Sequence, residues 1–229
     1  MSVVFRAAML VTLALLGNCQ LSDSGQTSGR EGFVKLIPGS SVQTEVRYFS
    51  TNNFVGEVID GYQAPVIYLS LDAYEALRAV LVEAETLGLG IKVFDAYRPQ
   101  QAVDQFVRWA KDLSDIRMKA QYYPEVEKQH LFRDGYIASR SGHSRGSTLD
   151  LTLFELETGK ELDMGTAFDF FDKSSWSESE AVTVQQQSNR ALLRMLMTQH
   201  GFRPLREEWW HFTLENEPYP ETYFNFPVR

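Results

Sequence analysis

The chain holds one cysteine, Cys19, so no disulfide can staple its fold, and a compact body must rest on a hydrophobic core or on a bound metal. The material for a core is present. Of 229 residues 44% are hydrophobic, including 15 Phe, 10 Tyr and 4 Trp, which suffices for one domain of ordinary size. The formal net charge is −8 and no run of Lys or Arg occurs. A nucleic-acid partner is thereby disfavoured, because phosphate binding needs a clustered basic face. The dispersed acidic charge reads as an ordinary solvated surface.

Three segments are expected. Arg6 is the only charge in the first 21 residues, and Ala7 to Gly17 is almost wholly apolar. Such a run is too short to span a bilayer but suits a signal-peptide core. Residues 1–19 therefore read as a signal peptide, which implies an exported, periplasmic protein. Leu16-Gly17-Asn18-Cys19 resembles a bacterial lipobox, although Asn18 stands where a small residue is usual. Two readings stay open: Cys19 carries a lipid anchor, or it is removed or left free after ordinary secretion. Residues 20–32 are mostly small and polar and read as a tether, leaving 33–229 as one catalytic domain.

Within that domain, apolar spacing predicts three main helices. Leu77, Val80, Leu81, Ala84 and Leu87 follow Ser70 and Asp72, with Gly88 as a stop; Val103, Phe106, Val107, Ala110 and Leu113 follow Pro99 in a first turn; Leu193, Leu196, Met197 and His200 end at Gly201. Ile91–Phe94, Thr148–Leu153 and His211–Leu214 read as strands, and residues 157–160 as a hairpin turn. Helices and strands do not alternate strictly. The expectation is an α+β fold with a small central antiparallel sheet carrying the site.

Four histidines invite comparison. His200 lies on the inner face of the third helix, where a core or capping role is the natural one, and the polar surroundings of His130 suggest no chemistry. His143 sits in Ser141-Gly142-His143-Ser144-Arg145-Gly146, whose small residues let backbone fold closely about an ion. Asp150 is an odd charge in the strand that follows. In Glu207-Glu208-Trp209-Trp210-His211, carboxylates precede a histidine in an apolar setting. On an extended strand Glu208 and His211 would face opposite ways, so a turn or bulge between them is required. Catalytic zinc needs three protein ligands, an open position and a nearby base. His143, Asp150 and His211 supply the ligands and Glu208 the base.

Ser-x-His-x-x-Gly-x-x-x-Asp at 141–150, followed by Glu-x-x-His at 208–211, resembles the zinc signature of the D-alanyl-D-alanine dipeptidases. Asn52-Asn53-Phe54-Val55-Gly56, Phe94-Asp95-Ala96-Tyr97-Arg98-Pro99, Gly135-Tyr136-Ile137-Ala138 and Met164-Gly165-Thr166-Ala167-Phe168-Asp169 also resemble family blocks. The resemblance implies one zinc ion per chain on His143, Asp150 and His211, with Glu208 as general base. It further implies Arg98 as the transition-state arginine and Asp169 as the carboxylate meeting the free amino group of a dipeptide. Asp95 is placed to hold the Arg98 guanidinium, although that pair also reads as an ordinary ion pair at a helix start.

Three functions follow for comparison. The first is zinc-dependent hydrolysis of D-alanyl-D-alanine; the second is trimming of longer cell-wall peptides by a carboxypeptidase or endopeptidase. The third is a zinc-stabilised binding module. The block ending in Asp169 favours the first, because a carboxylate fixed on the substrate amine limits substrate length. Glu208 and Arg98 disfavour the third, since a closed structural zinc site needs neither.

Overall fold

The computed structural model describes residues 30–229; the signal-peptide and Cys19 expectations lie outside them. Strand β1 (Phe33–Leu36) pairs antiparallel with β3 (Ile67–Ser70) in a two-stranded sheet. The main sheet has five strands: β2 (Val42–Thr44), β4 (Leu89–Asp95), β5 (Thr148–Glu155), β6 (Phe202–Pro204) and β7 (His211–Leu214). Their spatial order is β2-β4-β5-β7-β6. The architecture is α+β, as expected.

The sheet is mixed rather than antiparallel. Strand β2 pairs parallel with β4, while every other neighbour pair is antiparallel. A parallel pair needs a crossover instead of a hairpin. Here the chain between β2 and β4 runs through β3 and helix α1 (Leu71–Thr86) before returning. Three-residue strands such as β2 and β6 are too short to show a readable alternation, which is why the sequence does not reveal them.

The long helices are α1, α2 (Gln100–Lys111) and α4 (Val184–Gln199), with a single turn, α3, at Lys119–Tyr122. Ser70 Oγ caps α1 by accepting from Ala73 N at 3.3 Å, and Ala73, Leu77, Val80 and Ala84 form its buried face. Leu87 falls beyond the helix and is exposed. Pro99 stands just before α2 instead of inside it, because its extended ψ of 147° belongs to a cap. His200 caps α4, and its Nε2 lies 2.7 Å from Glu83 on α1, joining the two helices.

The buried strands β4 and β5 carry the site. Their register sets Asp95 opposite Asp150, and Asp150 opposite His211 on β7, so three chemically able residues form a row across the sheet. A register shift between Val93 and Asp95 re-aims the end of β4.

Candidate metal centre and its cavity

His143 reaches this row from a short 3₁₀ turn, Gly142–Arg145, immediately before β5. The turn closes on Gly146 in the left-handed region at φ 85°, where a Cβ would lie 2.3 Å from the Phe33 ring. Glycine is therefore required there by both conformation and space. His143 Nδ1 is 2.7 Å from the Ala96 carbonyl, to which it donates as the Nδ1–H tautomer. That bond leaves the Nε2 lone pair pointing into the row, the orientation second-sphere bonds impose on metal-binding imidazoles.

His143 Nε2 lies 3.3 Å from Asp150 Oδ2 and 3.3 Å from His211 Nδ1, and His211 Nδ1 lies 3.1 Å from Asp150 Oδ1. Ligand atoms sharing one zinc at about 2.0–2.2 Å sit roughly 3–4 Å apart. Asp150 Oδ1 is buried and makes no hydrogen bond, despite its close approach to His211. The three ligand atoms converge on a shared point, and an orphaned buried carboxylate oxygen is costly unless a cation meets it. The residues fit a zinc ion. Among the described residues they are the one group of His, Cys, Asp or Glu so gathered.

Glu208 arrives by the turn that its spacing demands. The His211 N–H donates to the Glu208 carbonyl at 3.3 Å, curling the chain so that Glu208 Oε2 comes within 3.3 Å of His211 Nδ1. Glu208 stands beside the cluster without joining the three converging atoms. Burial alone would lower the His211 pKa, but Asp150 and Glu208 outweigh it and raise the pKa to about 9. Burial works to raise Asp150, yet its two histidine partners hold the carboxyl well below the usual range. The causes differ in sign: two carboxylates in a dry place raise His211, a crowding that a divalent cation relieves, while the two imidazoles beside Asp150 favour its charged form.

Arg98 is anchored from several sides. Its Nε donates to Asp95 Oδ2 at 2.9 Å and its Nη2 to Asp150 Oδ2 at 3.4 Å. The guanidinium also lies over the Tyr48 and Phe106 rings, 5.0 and 5.2 Å from their centroids. Asp95 accepts from Tyr62 Oη at 2.6 Å on its other oxygen, so the expected hold of Asp95 on Arg98 is present and is itself braced. Asp169 occupies the left-handed region at φ 62°, and Tyr48 Oη donates to its Oδ2 at 2.9 Å. Burial first, then the charges of Asp150 and Glu208, push the Asp169 pKa well above the carboxylate range, with Arg98 opposing. A positively charged group entering beside it would restore the ionised form.

All six residues singled out from sequence (His143, Asp150, His211, Glu208, Arg98 and Asp169) line one cavity of about 180 Å³. Gly135 to Ala138 forms part of its wall. Asn53 does structural work instead. Its side chain accepts from Val55 N and Gly56 N at 3.0 Å and donates to the Ser50 and Glu57 carbonyls at 2.7 Å. Sequence reasoning missed Tyr48 and Tyr62, which reach the site from 121 and 33 residues away and belong to no recognisable spacing.

The model of the D-ala-D-ala dipeptidase family matches residues 33–229. A D-alanyl-D-alanine dipeptidase of Enterococcus faecalis is 44% identical over 187 residues, covering 82% of this chain and 93% of that protein. One from Streptomyces coelicolor is 42% identical over 82% of this chain and 94% of its own. One from Escherichia coli K12 is 35% identical over 76% and 79%. A solved vancomycin-resistance D,D-pentapeptidase in complex with Zn(II) aligns at a TM-score of 0.41 and 12% identity, covering 69% of this chain and 78% of that one.

Proposed function

The chain belongs to the D-alanyl-D-alanine dipeptidase family, and from that premise we propose that it hydrolyses D-alanyl-D-alanine to two D-alanines with one zinc ion held by His143, Asp150 and His211. The observation that carries the zinc reading is the convergence of three ligand atoms on one wall of a cavity that Glu208, Arg98 and Asp169 also line. A bound zinc supplies an acidified water and a Lewis acid for the peptide carbonyl.

The chain's own residues do the rest. Glu208 takes a proton from the attacking water as its oxygen bonds to the carbonyl carbon, and later gives that proton to the leaving amine as the C–N bond breaks. Arg98, permanently charged and fixed by Asp95, stabilises the negative charge developing on the attacked oxygen. Asp169 accepts the substrate's ammonium group. A cavity of about 180 Å³ is smaller than the roughly 300–1,000 Å³ of pockets for drug-sized ligands, which favours a short peptide over a long one. D-alanine release should be measured with D-alanyl-D-alanine, L-alanyl-L-alanine and a longer peptide ending in D-alanyl-D-alanine. Comparable turnover of the longer peptide would favour the carboxypeptidase reading.

The leader extends the proposal. Export, with or without a lipid on Cys19, puts the enzyme outside the compartment where D-alanyl-D-alanine is joined to wall precursors. Recovery of D-alanine from wall turnover is then its role, rather than antibiotic resistance. Cell fractionation followed by mass measurement of the mature N-terminus tests this, and an unprocessed cytoplasmic chain would reverse it.

A further inference from the structure

The two carboxylates given substrate-facing roles sit on separate segments, Asp169 in the turn at 168–169 and Glu208 before β7. One side chain, Thr166, ties these segments together. Trp209 Nε1, from the residue after Glu208, donates to Thr166 Oγ1 at 2.9 Å. Arg190 Nη2, from α4, lies 3.4 Å from the same oxygen, and Ser175 Oγ lies 2.9 Å from it. Ser175 has one proton, and the Phe170 carbonyl at 2.6 Å can only accept it. Ser175 Oγ also donates to Thr166 Oγ1, so its proton is shared between these two acceptors. Thr166 Oγ1 thus accepts from Trp209, Arg190 and Ser175 at once.

The chain of bonds runs from Trp209 through Thr166 and Ser175 to the Phe170 carbonyl, one residue past Asp169. Arg190 braces it. This buried guanidinium has no carboxylate partner among the described residues; it donates to the Met164, Ser174 and Trp176 carbonyls at 2.7–2.8 Å, on both sides of Asp169. The segment needs such bracing, because Asp169 holds a backbone conformation that L residues rarely adopt.

We infer that Thr166 is a positioning residue that sets the separation of Asp169 from Glu208, and so confines the enzyme to peptides with a free amino group one residue from the scissile bond. The inference rests on the proposed dipeptidase function. Thr166→Val keeps the shape and removes the hydroxyl, leaving the Trp209 and Arg190 donors unmet; Thr166→Ser restores it. Trp209→Phe cuts one link and keeps an aromatic ring.

The test is kcat/KM of the zinc-loaded full-length variants for D-alanyl-D-alanine and for its N-acetylated form, with thermal unfolding alongside. Thr166→Val and Trp209→Phe should each lower the ratio of free to acetylated substrate about tenfold or more, through a raised KM for the free dipeptide, since misplacement by about 1 Å costs up to a hundredfold. The acetylated substrate should be little affected, and Thr166→Ser should recover the ratio. An equal fall for both substrates, or an unchanged ratio in a folded variant, would overturn the assignment. Should Thr166→Val fail to fold, Trp209→Phe decides on the same criterion. A wild-type enzyme inactive on D-alanyl-D-alanine would instead remove the functional reading on which the inference stands.

Discussion

Glu208 and His211 are three residues apart and 3.3 Å from each other, yet their proposed roles differ. Glu208→Ala should retain zinc, because the three ligands remain, and lose about 10²–10⁴-fold in kcat as the base disappears. Metal analysis beside the rate measurement checks both halves. His211→Ala should lose metal and activity together. Arg98→Lys should lower kcat more than it raises KM, since an ammonium keeps the charge but cannot reproduce the planar fork that bonds Asp95 and Asp150 while facing the oxyanion. At this scale the polar side chains with unusual neighbours were legible: His143 among glycines, Asp150 within an apolar strand, Glu208 ahead of paired tryptophans. The Ala96 carbonyl that orients His143 was not, because a backbone acceptor leaves no mark in a sequence.

At the scale of elements, periodicity revealed what was long and amphipathic. Helices α1, α2 and α4 and strands β4, β5 and β7 were each anticipated within a few residues, while β1, β2, β3 and β6 were not. Register explains why the site was only half visible: neither the pairing of Asp95 with Asp150 nor that of Asp150 with His211 follows from local sequence, because register is settled between strands. The parallel addition of β2 is likewise a consequence of the crossover rather than of its three residues. The Thr183 capping box on α4 offers a test at a residue that does not line the cavity. Thr183 Oγ1 accepts from Gln186 N at 3.3 Å while Gln186 Oε1 accepts from Thr183 N at 2.8 Å. Thr183→Ala should cost about 1 kcal/mol. At this size that lowers Tm by about 2–4 °C, and calorimetry should find it with kcat unchanged.

Across the whole molecule, the core and the site share one sheet, so metal and stability are linked. The described body contains no disulfide, and a ligand that binds only the folded state adds about 2.7 kcal/mol at 100 times its Kd. Chelation should therefore lower Tm as well as abolish activity, and zinc should restore both. His211→Ala should show little of this dependence. The fold alone would accommodate other peptidase chemistries; what points to a dipeptide is Asp169 facing the same small cavity as the metal ligands. The most direct test is release of D-alanine from D-alanyl-D-alanine by purified protein, before chelation, after chelation and after zinc is returned. Turnover should disappear with chelator, return with zinc and be absent with L-alanyl-L-alanine. Turnover that survives complete removal of metal, or none on D-alanyl-D-alanine at full zinc occupancy, would contradict the proposed function.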